Sequence, residues 1–241
     1  MKLIKNLLPE KLKISLKKTA NLFIPGENIT ESKNKWNKLA SKNSRYFVMT
    51  DLGESITEEE FKKTGEKDYK ELIKNDDFVK SKLGDFKEKT VLEIGCGTGR
   101  ITEFLSQHFK KIFAVDISEK MIEEGRQRLK HASNIEFAAI NGVLYPTVND
   151  SSVDFVFSFI VFQHMPNKKV VRKNFEEIKR VLKNNGIAKI QVRGLPTSKF
   201  NWFYGPFFTK KEIEKLVSEV GIKLLKTEGE NQRYFWLWLS K

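Results

Sequence analysis

The sequence predicts an α/β fold: a mostly parallel sheet with helices on both faces, preceded by an N-terminal helical cap. Three observations predict it. From residue 90 onward, short apolar runs alternate with amphipathic stretches of helical period. The first of those runs leads into a glycine-rich turn, Gly95-Cys96-Gly97-Thr98-Gly99. The 241 residues, 39% hydrophobic and 31% charged, suffice for one sizeable core with an elaboration.

The chain divides into a basic amphipathic segment (1–29), a helical cap (30–85) and an α/β core (86–241). In the first segment Pro9 can open a helix. Leu12, Leu16, Ala20 and Phe23 then repeat at helical spacing, with Lys11, Lys13, Lys17 and Lys18 mostly around the other sides. Pro25-Gly26 punctuates its end. The cap is polar and rich in aromatics, including Trp36, Tyr46, Phe47 and Phe61, and Thr57 before three glutamates reads as a helix start.

In the core, Val91–Ile94, Ile112–Val115, Ile135–Ala138, Val153–Ile160 and Ile187–Val192 read as buried strands. Helices marked by Ile101, Phe104 and Leu105, by Met121, Ile122 and Leu129, and by Phe175, Ile178 and Val181 alternate with them. Thr209 can cap a last helix carrying Ile213, Leu216 and Val217. Ile222–Leu225 and Tyr234–Leu239 then form a pair suited to an antiparallel addition at the sheet edge.

Composition excludes several classes. No apolar run approaches the roughly 18 residues of a membrane span. Cys96 is the single cysteine, so no intrachain disulfide framework exists, and a reducing cytoplasmic setting fits. The net charge of +13 invites a nucleic-acid reading, but only eight of the 44 basic residues are Arg. Bidentate phosphate readout favours the Arg fork, and scattered Lys is equally a solvated surface. The first 26 residues differ, with six Lys against Glu10 alone. A basic amphipathic helix there fits an anionic membrane surface, at the inner face of the cytoplasmic membrane, or a docking site on its own domain.

The chemistry centres on the turn at 95–99. Glycines there let the backbone pass close to a ligand and bend sharply into a helix whose first N–H groups suit a negative group. No Gly-Lys-Ser/Thr ending follows, which argues against a triphosphate loop. The spacing is Gly-x-Gly-x-Gly with Arg100 after it, so the dinucleotide pattern fails at its last place. Asp116 closes the second strand, 21 residues beyond Gly95, where a carboxylate can accept both hydroxyls of a ribose. A strand-end Asp can equally cap the next helix.

Together, VLEIGCGTGR and FAVDIS resemble the cofactor-binding motifs of class I S-adenosylmethionine-dependent methyltransferases, over roughly residues 85 to 241. The resemblance implies a Rossmann-like sheet of seven strands with an antiparallel last strand, and S-adenosylmethionine as cofactor. By position, Gly95, Cys96, Gly97 and Gly99 would surround its methionine part, and Glu93 would orient its amino group. Asp116 would hold the ribose, while Ile117 and Met121 would pack on adenine. Asn141-Gly142 stands where the family often has an Asp reading the adenine amino group; a plain Asn-Gly turn is the alternative. Ser158 falls in the post-strand part of the site, and Tyr46 resembles a cap aromatic that closes over the cofactor.

The run Asp154 to Pro166 resembles the post-strand segment of family members acting on small molecules, sugars and lipids. It lacks the Asn/Asp-Pro-Pro-Tyr/Phe signature of base-amine methylation. His164 is the candidate catalytic base there, with loop orientation as the competing role. Cys96 occupies a turn that requires a small residue, and nothing beside it marks a reactive thiol. His108, His131 and His164 are far apart, so no metal site is expected. Phe200, Trp202, Phe203, Tyr204, Phe207 and Phe208 form an aromatic cluster placed either to cover an acceptor or to build a satellite core. The sequence therefore predicts O-methylation of a sugar, glycolipid or other small acceptor. RNA methylation and a non-catalytic cofactor-binding scaffold are the alternatives.

Overall fold

A computed structural model describes residues 28–196 and 205–241. The basic segment at 1–26 and Phe200, Trp202, Phe203 and Tyr204 of the aromatic cluster lie outside the described residues. Helix α1 (Ile29–Val48) starts in a capping box between Asn28 and Glu31 and breaks at Asn43. Helix α2 (Glu58–Tyr69) starts in a second box between Thr57 and Glu60, then runs through a π-turn towards α3 (Asp77–Leu83).

The core follows as β1 (Thr90–Ile94), α4 (Thr102–His108), β2 (Lys111–Asp116), α5 (Glu119–Arg128), β3 (Ile135–Ala139) and β4 (Val153–Ser158). It ends with α6 (Lys168–Val181), β5 (Leu182–Val192), α7 (Lys210–Val220), β6 (Lys223–Glu228) and β7 (Phe235–Ser240). Thr209 caps α7 in a box with Glu212.

The seven strands lie in the order β3-β2-β1-β4-β5-β7-β6. Strands β1 to β5 pair in parallel, and β7 runs antiparallel between β5 and β6. Strand β5 begins earlier than its apolar run suggests, because Leu182 pairs with Val153 across a bulge before Ile187 meets Phe155.

Period-two alternation explains the continuous apolar runs. Leu92, Phe113, Val115 and Val156 face α6 and α7, packing with Phe175, Ile178, Ile213 and Leu216. Val91, Ile112, Ala114 and Phe155 face the other way, onto Leu105 and Ile122 and onto Ile73 and Val79 of the cap. The cap is also fastened by charge. Buried Lys189 of β5 reaches Asp76 at 2.6 Å and the Leu72 carbonyl, and Trp238 donates to the same carboxylate. Among the described residues no helix is long and apolar enough to cross a membrane.

Candidate active site

In this strand order the winding reverses between β1 and β4, and a pocket opens at their carboxyl ends. It spans about 1140 Å³ including its open mouth. Its floor is the β1 turn, and its roof is α1, which contributes Ile29, Ser32, Trp36, Phe47 and Val48.

The glycine turn owes its shape to three positive φ angles, at Gly95 (74°), Gly97 (54°) and Gly99 (84°). A Cβ on Gly95 would also lie 2.2 Å from Val161 Cγ2, so only glycine lets the turn meet the segment after β4. The amides of the turn are engaged within the fold. Those of Gly95 and Cys96 donate to the Val115 carbonyl, and that of Gly99 donates to Cys96. Helix α4 begins only at Thr102. The positive group lining this end of the pocket is Arg100, ion-paired to Asp68 of α2 at 2.7 Å.

Asp116 sits at the pocket wall with each carboxylate oxygen accepting one backbone N–H, from Gly97 and Ser118, both at 2.9 Å. That leaves acceptor lone pairs on both oxygens, the arrangement a pair of ribose hydroxyls needs. Burial raises its pKa, opposed by those two donors. Glu93, at the end of β1, accepts from Thr102 Oγ1 at 2.6 Å, and burial pushes it up to about 7. A group poised there keeps its charge when a cation arrives and gives it up otherwise. Burial also raises the Cys96 thiol, which keeps it an inert small residue of the turn.

The pocket gathers Glu93, Gly95, Cys96, Gly97, Asp116, Ile117, Met121, Gly142 and His164 on one surface. Four other expected residues do not line it. Gly99 serves packing, since a Cβ there would meet Leu129 at 2.8 Å, and its carbonyl accepts from Arg128. Asn141 spends its side-chain oxygen on the amides of Val143 and Leu144, closing its own turn. Ser158 is fully buried and donates to the Ile94 carbonyl, cross-linking β4 to β1. Tyr46 packs edge-on against Phe47, and it is Phe47 and Val48 that face the pocket.

Several lining residues escaped the sequence reading. Trp36 lies edge-on to the His164 ring at 5.7 Å, and Phe159, Val161, Met165 and Pro166 continue the apolar wall on that side. Ile160 holds a φ of 58°, an outlier for a β-branched residue. Nothing in the sequence marks it, because isoleucine rarely adopts that conformation. Arg100 was legible as the residue after the glycine turn, but only as a break in another pattern.

The donor set fits S-adenosylmethionine. A carboxylate with free lone pairs stands for the ribose, and a protonatable acid and an arginine stand for the amino-acid end. Ile117, Met121 and Ile140 form an apolar slot for the base.

Residues 91–186 match the family model described as a methyltransferase domain. A malonyl-[acyl-carrier protein] O-methyltransferase of Bacillus cereus is 31% identical over 153 residues, 60% of this chain and 51% of that protein. Phosphoethanolamine N-methyltransferase 1 of Arabidopsis thaliana is 31% identical over 94 residues, 38% of this chain and 19% of that protein. The chain spans about half or less of the length of these relatives. In fold it resembles the magnesium protoporphyrin IX methyltransferase of Synechocystis, with a TM-score of 0.65 at 15% identity, covering 89% of this chain and 100% of that one. With the matched segment, the strand order and the glycine turn in agreement, residues 91–186 carry a methyltransferase domain, on a fold shared with S-adenosylmethionine-dependent methyltransferases.

Proposed function

We propose that the chain transfers the methyl group of S-adenosylmethionine to an oxygen of a small acceptor, a sugar, a glycolipid or another small molecule. The observation that carries this reading is the continuity of the pocket. One end presents Glu93, Arg100 and Asp116, and the other is an apolar and aromatic chamber ending at His164. The cofactor supplies an electrophilic methyl on a positively charged sulfur. The protein's part is placement. Asp116, Ile117 and Met121 hold the nucleoside, and Glu93 and Arg100 hold the charged tail. Trp36 and Phe47 of the roof help exclude water from the reacting end and align an acceptor along the methyl–sulfur axis. The O-methyltransferase and N-methyltransferase names of the relatives support a small acceptor and leave its chemistry to experiment.

Calorimetry with S-adenosylmethionine, followed by transfer of a labelled methyl group to panels of sugars, lipids, acyl carriers and RNA, tests the reading. Label on a small acceptor supports it. Label only on RNA replaces the acceptor class, and binding without turnover on any panel favours a scaffold. Lys11, Lys13, Lys17 and Lys18 further support an anionic membrane surface as the partner of residues 1–26. Flotation with anionic vesicles should be lost when those four lysines are changed to Glu; flotation that survives the change removes this partner.

A further inference from the structure

We infer that Gln191 and Gln163 are positioning residues that hold His164 as the neutral imidazole with its proton on Nδ1, a ring that does not act as the general base. This rests on the pocket being the methyl-transfer site, as proposed above.

The argument starts from groups whose hydrogen-bonding roles are fixed. Gln191 is fully buried on β5. Its Oε1 accepts from the Ile160 backbone amide at 3.0 Å, and that amide can only donate. Its Nε2 faces the carbonyls of Val192 at 2.6 Å and Arg233 at 3.4 Å, which can only accept. Turning the amide over would set an NH2 group against an N–H and an oxygen against two carbonyls. Three backbone groups therefore fix which end of Gln191 is nitrogen.

Of its two protons one goes to the near Val192 carbonyl, and the other is shared between the Arg233 carbonyl and Oε1 of Gln163, which lies 3.3 Å away and is likewise fully buried. Facing a donor, the Gln163 amide presents its oxygen, which leaves its own Nε2 3.1 Å from His164 Nε2. A side-chain amide nitrogen cannot accept, so His164 Nε2 must. The ring proton then belongs on Nδ1. Protonating Nε2 would bring two donors together in a buried place, where an unmade hydrogen bond costs roughly 1–3 kcal/mol.

The same glutamine holds the strained backbone at Ile160, four residues before His164. Such strain persists only where its surroundings over-determine it. One buried side chain thus fixes both the path of the post-β4 segment and the tautomer of the histidine it carries. With Nε2 occupied by Gln163 and Nδ1 already protonated, no ring nitrogen is ready to take a proton from an acceptor. His164 shapes and polarises the acceptor end instead.

Nitrogen-15 spectra of the imidazole rings in the full chain test this without reference to turnover. The chain has three histidines, and the signals lost in His164→Gln identify the ring. Near neutral pH, Nε2 should resonate as a pyridine-type nitrogen and Nδ1 as a pyrrole-type one. In Gln163→Glu the new carboxylate accepts rather than donates, and Nε2 should gain a proton. Should that variant fail to fold, Gln163→Met removes the donor and must shift the population towards the Nε2–H form. A wild-type ring protonated on Nε2, or ring signals unmoved in the folded variants, would overturn the inference. The methyltransferase reading fails separately, by absence of cofactor binding and transfer, which these spectra do not measure.

Discussion

The two ends of the pocket are built by different means. The proposed nucleoside end is built on two neighbouring strands, β1 with its turn and β2, with parallel pairing from Thr90–Lys111 to Ile94–Val115 setting the geometry. The acceptor end is assembled from pieces distant in sequence: the roof helix α1, the segment after β4, and β5 beneath it. The first tolerates few changes because each residue is fixed by backbone geometry. The second depends on side-chain packing and is where specificity can vary.

The largest expected effect lies at the nucleoside end. Asp116→Ala would remove the two charge-assisted hydrogen bonds proposed to the ribose, each worth about 1.5–3 kcal/mol, and free the Gly97 amide that Asp116 holds. Cofactor affinity by calorimetry should fall by at least roughly 100-fold. Affinity within a few-fold of wild type would remove the ribose assignment.

Gly65 tests the seam between α2 of the cap and the glycine turn. It lies within α2, where alanine would ordinarily stabilise a helix by about 1 kcal/mol. A Cβ there would sit 2.2 Å from the Arg100 carbonyl, so crowding against rigid backbone decides the sign. Gly65→Ala should destabilise the chain by roughly 1–3 kcal/mol in denaturant unfolding. Stability equal to wild type or better would show that the cap is not pressed onto the glycine turn.

These contrasts explain what the sequence disclosed. Sheet, glycine turn and Asp116 were legible because short-range rules produce them: apolar alternation, positive φ at glycine and a strand-end carboxylate. The residues that did not reach the pocket show the limit. Asn141 and Ser158 occupy the expected strand ends, yet each had a nearer partner in its own turn or in a neighbouring strand. Gly99 kept its positive φ but turned to the packing of Leu129. Trp36, Gln163 and Gln191 were illegible for the opposite reason. Their roles arise only when segments more than a hundred residues apart, or two strands, are brought together.

Glu93 adds a pH signature to these substitutions. In the free protein burial lifts it from 4.5 to about 7. The folded state therefore holds this proton more tightly than the unfolded chain. Its contribution to stability is fully present below about 4.5 and is lost as pH rises through about 7. Cofactor binding runs the other way, because an ammonium group favours the ionised carboxylate. Affinity should rise with pH up to about 7, by as much as about tenfold per unit, and flatten above it. Titrations in buffers of different ionisation heat should show a proton released on binding below that point. A pH-independent affinity, or proton uptake, would detach Glu93 from the amino group.

The finest distinction lies within the roof, between two adjacent aromatics. Phe47 lines the pocket, whereas Tyr46 does not and packs edge-on against the Phe47 ring at a centroid distance of 4.9 Å. Phe47→Ala opens the roof beside the proposed cofactor site and should weaken binding by about tenfold, or about 1.4 kcal/mol. Tyr46→Ala removes an edge-on neighbour worth about 0.5–1.5 kcal/mol to Phe47. It should therefore change affinity by no more than a few-fold, through Phe47. In the double variant the effect of Tyr46→Ala should vanish, since the ring that transmits it is gone. Additive losses would instead mean that Tyr46 reaches the cofactor directly, which would require α1 to rotate about its break at Asn43.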